Sequence, residues 1–189
     1  MAPLDSLPPL ANDLEGFLNK KVLIIGEVGS GKTAYTRKIL KKILESGAVS
    51  VAVIDMAPEA KGVIGGKINM SGLEGAHYYT TTVHPPRLMG KSPHEVQLLA
   101  SENAARIEKL FDIYRKDPAR TLCINDISLY LQAGDLEKLW TIIEMSSTTV
   151  MNGYYGTTLG GGELGDRERR NMEKLCDRCD AVLRLELRD

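Results

Sequence analysis

Eight consecutive residues, Gly26-Glu27-Val28-Gly29-Ser30-Gly31-Lys32-Thr33, fit the pattern G-x-x-x-x-G-K-[ST] at every fixed position. Before them runs a continuous apolar stretch, Val22 to Ile25. After them Ile39, Leu40, Ile43 and Leu44 form one apolar stripe, with Arg37, Lys38, Lys41 and Lys42 on the opposite side as a solvated face, until Ser46-Gly47 ends the helix. An unbroken apolar run reads as a central parallel strand covered on both faces, and such strands occur in sheets with helices packed on both sides. A strand, a glycine-rich turn and a helix in this order therefore narrow the chain to an α/β fold.

The rest of the chain repeats that scheme. Val49 to Ile54 reads as a second strand with Asp55 at its carboxyl end, Thr121 to Asn125 as a third ending in Asp126, and Thr148 to Asn152 as a fourth. In Ala181 to Leu187, Leu183, Leu185 and Leu187 alternate with Arg184, Glu186 and Arg188, the pattern of a half-exposed edge strand. Ser92-Pro93-His94-Glu95 is a capping box that opens a helix carrying Val96, Leu99, Ala100, Asn103, Ala104, Ile107, Leu110, Phe111 and Tyr114, stopped by Asp117-Pro118. Asp135 and Asp166 are expected to cap two further helices. The expected architecture is a mostly parallel sheet of about five core strands with flanking helices. Residues 1–20, which include Pro8-Pro9, form a lead-in segment, and 21–189 form a single domain. A loop insertion at about 56–91 interrupts it, with five glycines between Gly62 and Gly75, a β-prone run from His77 to Val83, and Pro85-Pro86. A connection this long is expected to bind a substrate or partner and to contribute one extra strand.

Charge adds exclusions. The 24 basic and 25 acidic side chains nearly cancel, so no clear nucleic-acid footprint is expected. No run approaches the roughly 20 apolar residues that span a bilayer, and no signal-peptide stretch is seen, so no membrane insertion and a cytoplasmic location are expected. Three cysteines cannot all pair within one chain, and thiols are expected. Cys176 and Cys179 have half the spacing of a zinc site, but they share a helical stripe with Met172 and Leu175, which points to buried thiols. His77, His84 and His94 show no metal-ligand spacing; Arg87 and Lys91, beside His84, are candidates to touch a substrate.

The chemistry rests on Gly26 to Thr33. Its glycines let the backbone wrap around phosphate oxygens, and the following helix N-terminus adds a favourable dipole. Lys32 is expected to neutralise the β- and γ-phosphates and Thr33 to ligate Mg2+. The motif and its setting resemble the P-loop NTPase superfamily across roughly Lys21 to Leu187. Leu122-Cys123-Ile124-Asn125-Asp126 is similar to that superfamily's second motif, which implies Asp126 as the acid of the metal site. Thr148 to Asn152 is similar to the strand that, in the RecA-like and AAA-type branch, lies between the acid-bearing and loop-bearing strands and carries a polar sensor. That branch often places a nucleophile-activating acid directly after the metal-site residue; Ile127 and Ser128 stand there. Asp55 and Glu59, just beyond the second strand, are then the candidates for the general base, with Glu27 a third. Arg167, Arg169 and Arg170 are candidates to act on the nucleotide. No N-K-x-D sequence is present to read guanine, which favours ATP. The resemblance implies an Mg-dependent ATPase that couples hydrolysis to a conformational or partner-binding change, with a homo-oligomer or protein partner possible. A small-molecule or nucleotide kinase is the second reading, and a nucleotide-dependent binding module with negligible turnover the third.

Overall fold

The structure is a computed structural model, described here for residues 14–59 and 66–187. Residues 1–13 of the lead-in segment, Gly62 and Gly65 of the glycine-rich stretch, and Arg188 lie outside the described residues. The elements in chain order are β1 (Lys21–Gly26), α1 (Lys32–Glu45), β2 (Val51–Asp55), β3 (His77–Thr80), α2 (Pro86–Met89), α3 (Pro93–Tyr114), β4 (Thr121–Asn125), α4 (Ser128–Leu131), α5 (Leu136–Glu144), β5 (Thr148–Tyr154), α6 (Glu163–Arg178) and β6 (Ala181–Leu185).

The strands form one parallel sheet in the order β3-β2-β4-β5-β1-β6. Alternate residues of β1 go to opposite faces: Val22 and Ile24 pack with Tyr35, Ile39, Leu40 and Ile43 of α1, whereas Leu23 and Ile25 join the core built by α3, α4, α5 and α6. This double burial is why the strand sequence is uniformly apolar. Phe17 of the lead-in segment, 2% exposed, closes the α1 face.

Among the described residues the sheet has six strands, the five expected core strands and the expected extra one. The sixth is β3, a four-residue edge strand paired to β2, inside the segment expected as an insertion loop. β6 is the other edge, and its outward residues are exposed as the alternation requires. The 56–91 stretch is held by its own plugs: Ile68 and Leu73 are buried against the α1 face, and Arg37 of α1 donates through Nε to the Asn69 carbonyl at 2.7 Å and through a terminal nitrogen to the Ser71 carbonyl. Arg37 therefore fastens this loop instead of facing solvent with Lys41.

Capping chemistry fixes two helix starts as expected. Ser92 Oγ accepts from the Glu95 N–H at 3.2 Å, with Pro93 at the first helical position, and Asp135 Oδ1 accepts from Glu137 N–H at 2.8 Å. The third does not: α6 begins at Glu163 behind Gly162, and Asp166 lies within its first turn. Cys176 and Cys179 are only half-buried, packed on the edge of the core, where burial pushes the Cys179 thiol up to about 12. Among the described residues no helix is long and apolar enough to cross a membrane.

Candidate functional site

At the carboxyl end of β1 the chain turns into α1 through Gly26 to Gly31. Two glycines are required there by position. A Cβ on Gly26 would stand 2.4 Å from the carbonyl oxygen of Leu185 in neighbouring β6, and Gly31, at φ +84°, is the left-handed N-cap of α1. No side chain caps α1, so the amides of its first turn face the loop's concavity, the arrangement that suits an anion. Lys32 Nζ donates to the carbonyls of Gly26 at 3.0 Å and Glu27 at 2.6 Å. Burial lowers its pKa, against the pull of the Asp126 and Glu27 carboxylates.

Thr33, one residue on, donates its hydroxyl to Asn125 Oδ1 at 3.3 Å. Asn125 is the last residue of β4 and fully buried, and its amide also donates to Asp55 Oδ1 at 2.9 Å and accepts from Asn152 Nδ2 at 3.0 Å. Asp126 follows with φ +56°, a left-handed turn that takes its side chain out of the strand direction. Its N–H donates to Asn152 Oδ1 at 3.1 Å, and its Oδ1 accepts from the Ser128 hydroxyl. Burial raises the Asp126 pKa, while Ser128 and Lys32 act in the opposite direction.

Lys32, Thr33 and Asp126 face one cavity of about 300 Å3, with Asn125 behind them and outside its lining. The loop residues Val28, Gly29, Gly31, Lys32 and Thr33 line one side, with Asp126 and Ser128 beside them. Pro58, Pro86 and Leu88 also line the cavity. The floor is polar: Arg87, Gln132 and Glu168 meet there, with Glu168 Oε2 accepting from Arg87 at 2.8 Å and from Gln132 Nε2 at 2.8 Å. Burial pushes the Glu168 carboxyl up to about 7, against the lowering influence of the Arg87 guanidinium and the Gln132 amide. Arg87 owes its place to Asn103 of α3, whose side chain accepts from the His84 N–H at 3.0 Å and donates to the His84 carbonyl at 2.6 Å, fixing the chain that enters α2.

The other expected residues are elsewhere. Asp55 is fully buried, and its two oxygens accept from Ala57 N–H, Asn125 Nδ2, Ile68 N–H and the Tyr78 hydroxyl at 2.7–3.1 Å. It is a structural pin between β2, β4 and the following loop, with no lone pair directed at the cavity. Asp55→Asn would turn one acceptor into a donor facing these N–H and O–H groups, and hydrogen bonds to charged groups are worth about 1.5–3 kcal/mol each. The expected loss is roughly 3 kcal/mol of stability, read as a lower urea midpoint; an unchanged midpoint would remove the pin from this account.

Glu59 has 81% of its side chain exposed and stands 3.9 Å from Lys67; it does not line the cavity. Glu27 turns away to hold the β5–α6 connection, accepting from the N–H groups of Thr157 and Thr158. Partial burial works against its ionisation, but these backbone donors and Val28 outweigh it and hold the carboxyl at about 2. Asn152, by contrast, does line the cavity; 1% exposed and short of the strand tip, it ties Asn125, Asp126 and Thr36 together, and β5 continues to Tyr154. Arg167 donates to the carbonyls of Ala133 and Gly134, Arg169 donates to Gly156 and stacks on Tyr155, and Arg170 is exposed. Glu168, between these arginines, and Gln132 carried no sequence signal.

A six-stranded parallel sheet with the strand after the acid-bearing one inserted beside the loop-bearing strand, and a complete G-x-x-x-x-G-K-T loop at its carboxyl edge, is the fold of the RecA-like P-loop NTPases; this chain has that fold. More particularly, residues 5–62 match the family model of the central domain of the helicase HerA. Among solved structures, the flagellar accessory protein FlaH from Methanocaldococcus jannaschii superposes with a TM-score of 0.52 at 12% identity, over 93% of this chain and 75% of that one. The KaiC-like protein PH0186 from Pyrococcus horikoshii OT3 gives 0.50 at 16% identity, over 91% and 74%. No curated protein sequence matches. At such identities the likeness is one of fold.

Proposed function

We propose that this chain is an Mg2+-dependent ATPase whose turnover changes the loops around the cavity or a surface they form. One observation carries the reading: the phosphate-suited loop with Lys32 and Thr33 shares a cavity with Asp126, a carboxylate that among the described residues accepts a hydrogen bond at Oδ1 alone. The loop amides and Lys32 would hold the β- and γ-phosphates. Thr33 Oγ1, which lines the cavity, is a neutral oxygen donor of the kind a hard cation takes. It would hold Mg2+, with Asn125 Oδ1 behind it at 3.3 Å orienting the hydroxyl. When bound, Mg2+ supplies charge neutralisation at the phosphates.

Because the Thr33 hydroxyl is paired to Asn125 and not to Asp126, we place Asn125 on the metal side and Asp126 as the base. Its left-handed backbone and the Ser128 hydrogen bond orient the carboxylate, and burial raises its proton affinity toward what abstraction from water requires. Glu59, Asp55 and Glu27 leave the role by their exposure or their hydrogen bonds. The mostly apolar extension of the cavity toward Pro58, Pro86 and Leu88 favours, as a second reading, a kinase whose acceptor sits there.

The test is product analysis with Mg-ATP. The ATPase reading expects ADP and inorganic phosphate in equal amounts from the chain alone. ADP formed without phosphate, and only when an acceptor is added, would establish the kinase instead. Tight ATP binding with no ADP under either condition would leave a binding module.

A further inference from the structure

We propose that Arg87 contacts the terminal phosphate of the nucleotide and that Glu168 holds it until that phosphate arrives, so that partner exchange at Arg87 makes the site prefer a triphosphate over a diphosphate. The proposal rests on the reading that the loop binds ATP. Arg87 and Glu168 both line the loop's cavity, 2.8 Å apart, with 16% and 4% of their side chains exposed.

Stability alone is a poor reason for such a pair. Buried ion pairs are commonly no better than well-packed apolar residues of the same size, because desolvation offsets their attraction. This one is also incompletely satisfied: Arg87 Nε and Gln132 Oε1 are buried without a hydrogen-bond partner among the described residues. The guanidinium thus keeps donor capacity unspent in a cavity that also contains Lys32 and Asp126. A planar fork of N–H groups suits a phosphoryl group, and Arg–phosphate bonds are stronger than neutral ones.

Charge explains why the carboxylate is present. Lys32 and Arg87 balance Asp126 and Glu168 within the cavity. A terminal phosphate adds negative charge beside Asp126, which favours moving Arg87 toward it. Glu168 is left with the Gln132 donor at 2.8 Å, so it retains one partner in both arrangements. Because Arg87 is on α2 and Glu168 on α6, the exchange alters the contact between two elements that border the cavity.

The experiment compares the affinities of ADP and the non-hydrolysable triphosphate AMP-PNP, both with Mg2+, in the wild type, Glu168→Gln, Arg87→Gln and the double variant. Glu168→Gln removes the competitor and is expected to tighten AMP-PNP about tenfold while leaving ADP within about twofold. Arg87→Gln is expected to weaken AMP-PNP about 10- to 100-fold with little change in ADP. The double variant buries no unpaired charge, so it keeps the question answerable if Arg87→Gln alone folds poorly; it should match Arg87→Gln, since Glu168 acts only through Arg87. Equal shifts for both nucleotides, or weaker AMP-PNP binding in Glu168→Gln, would overturn the exchange and leave a purely structural pair. Failure of the wild type to bind either nucleotide would instead strike the reading of the loop.

Discussion

Lys32→Ala is expected to abolish the rise in melting temperature that Mg-ATP gives the wild type. At about a hundredfold excess over Kd, a ligand that binds only the native state stabilises it by roughly 2.7 kcal/mol. For a domain of this size that corresponds to a shift of about 5–10 °C. Lys32 is the residue through which that energy is most concentrated, since its ammonium is half-buried at the mouth of the loop, bonded to the carbonyls of Gly26 and Glu27. Losing those two bonds costs the ligand-free fold about 1 kcal/mol for each hydrogen bond removed at a partly solvated site, a drop of several degrees in its own melting temperature. The variant should therefore still melt cooperatively, below the ligand-free wild type, and fail to respond to nucleotide. A full ATP-dependent shift in a normally folded Lys32→Ala protein would mean that the phosphates bind elsewhere.

That residue could be singled out from the sequence because its neighbours in space are its neighbours in the chain. The same holds for β1, α1 and α3, whose apolar runs or stripes record burial directly, and for the caps at Ser92 and Asp135. Reading failed where function depended on distant partners. Asp55 looks like a strand-end acid until Ile68, Tyr78 and Asn125, which are 13, 23 and 70 residues away, fold onto its carboxylate. Arg87 and Glu168 are separated by 81 residues, and nothing in either neighbourhood announces the other. Arg37 shares the exposed-looking side of an amphipathic pattern, yet the loop that follows β2 returns to cover it. The start of α6 leaves no mark in the sequence for a backbone reason: Gly162 at φ +85° ends the preceding loop without a capping side chain.

Asp126→Asn is expected to slow single-turnover ATP hydrolysis by about 10² to 10⁴ while leaving ATP affinity nearly intact, the signature of a lost general base. The substitution keeps the shape and lets an amide oxygen accept from Ser128, so the turn after β4 should persist. A role at the metal would show differently, as a higher Mg2+ requirement with turnover restored at saturating Mg2+. Asn125, whose amide oxygen meets the Thr33 hydroxyl, is the position at which substitution should produce that second pattern. The pH profile supplies an independent sign. Only the ionised carboxylate can take a proton, so the rate must fall as pH drops through the Asp126 pKa. The acid limb that this carboxylate sets should vanish in Asp126→Asn. Glu59→Gln, altering an exposed carboxylate outside the cavity, serves as the control and should hydrolyse at the wild-type rate. If Glu59→Gln loses turnover and Asp126→Asn keeps it, the base comes from the end of the second strand after all, and that loop must move into the cavity during the reaction.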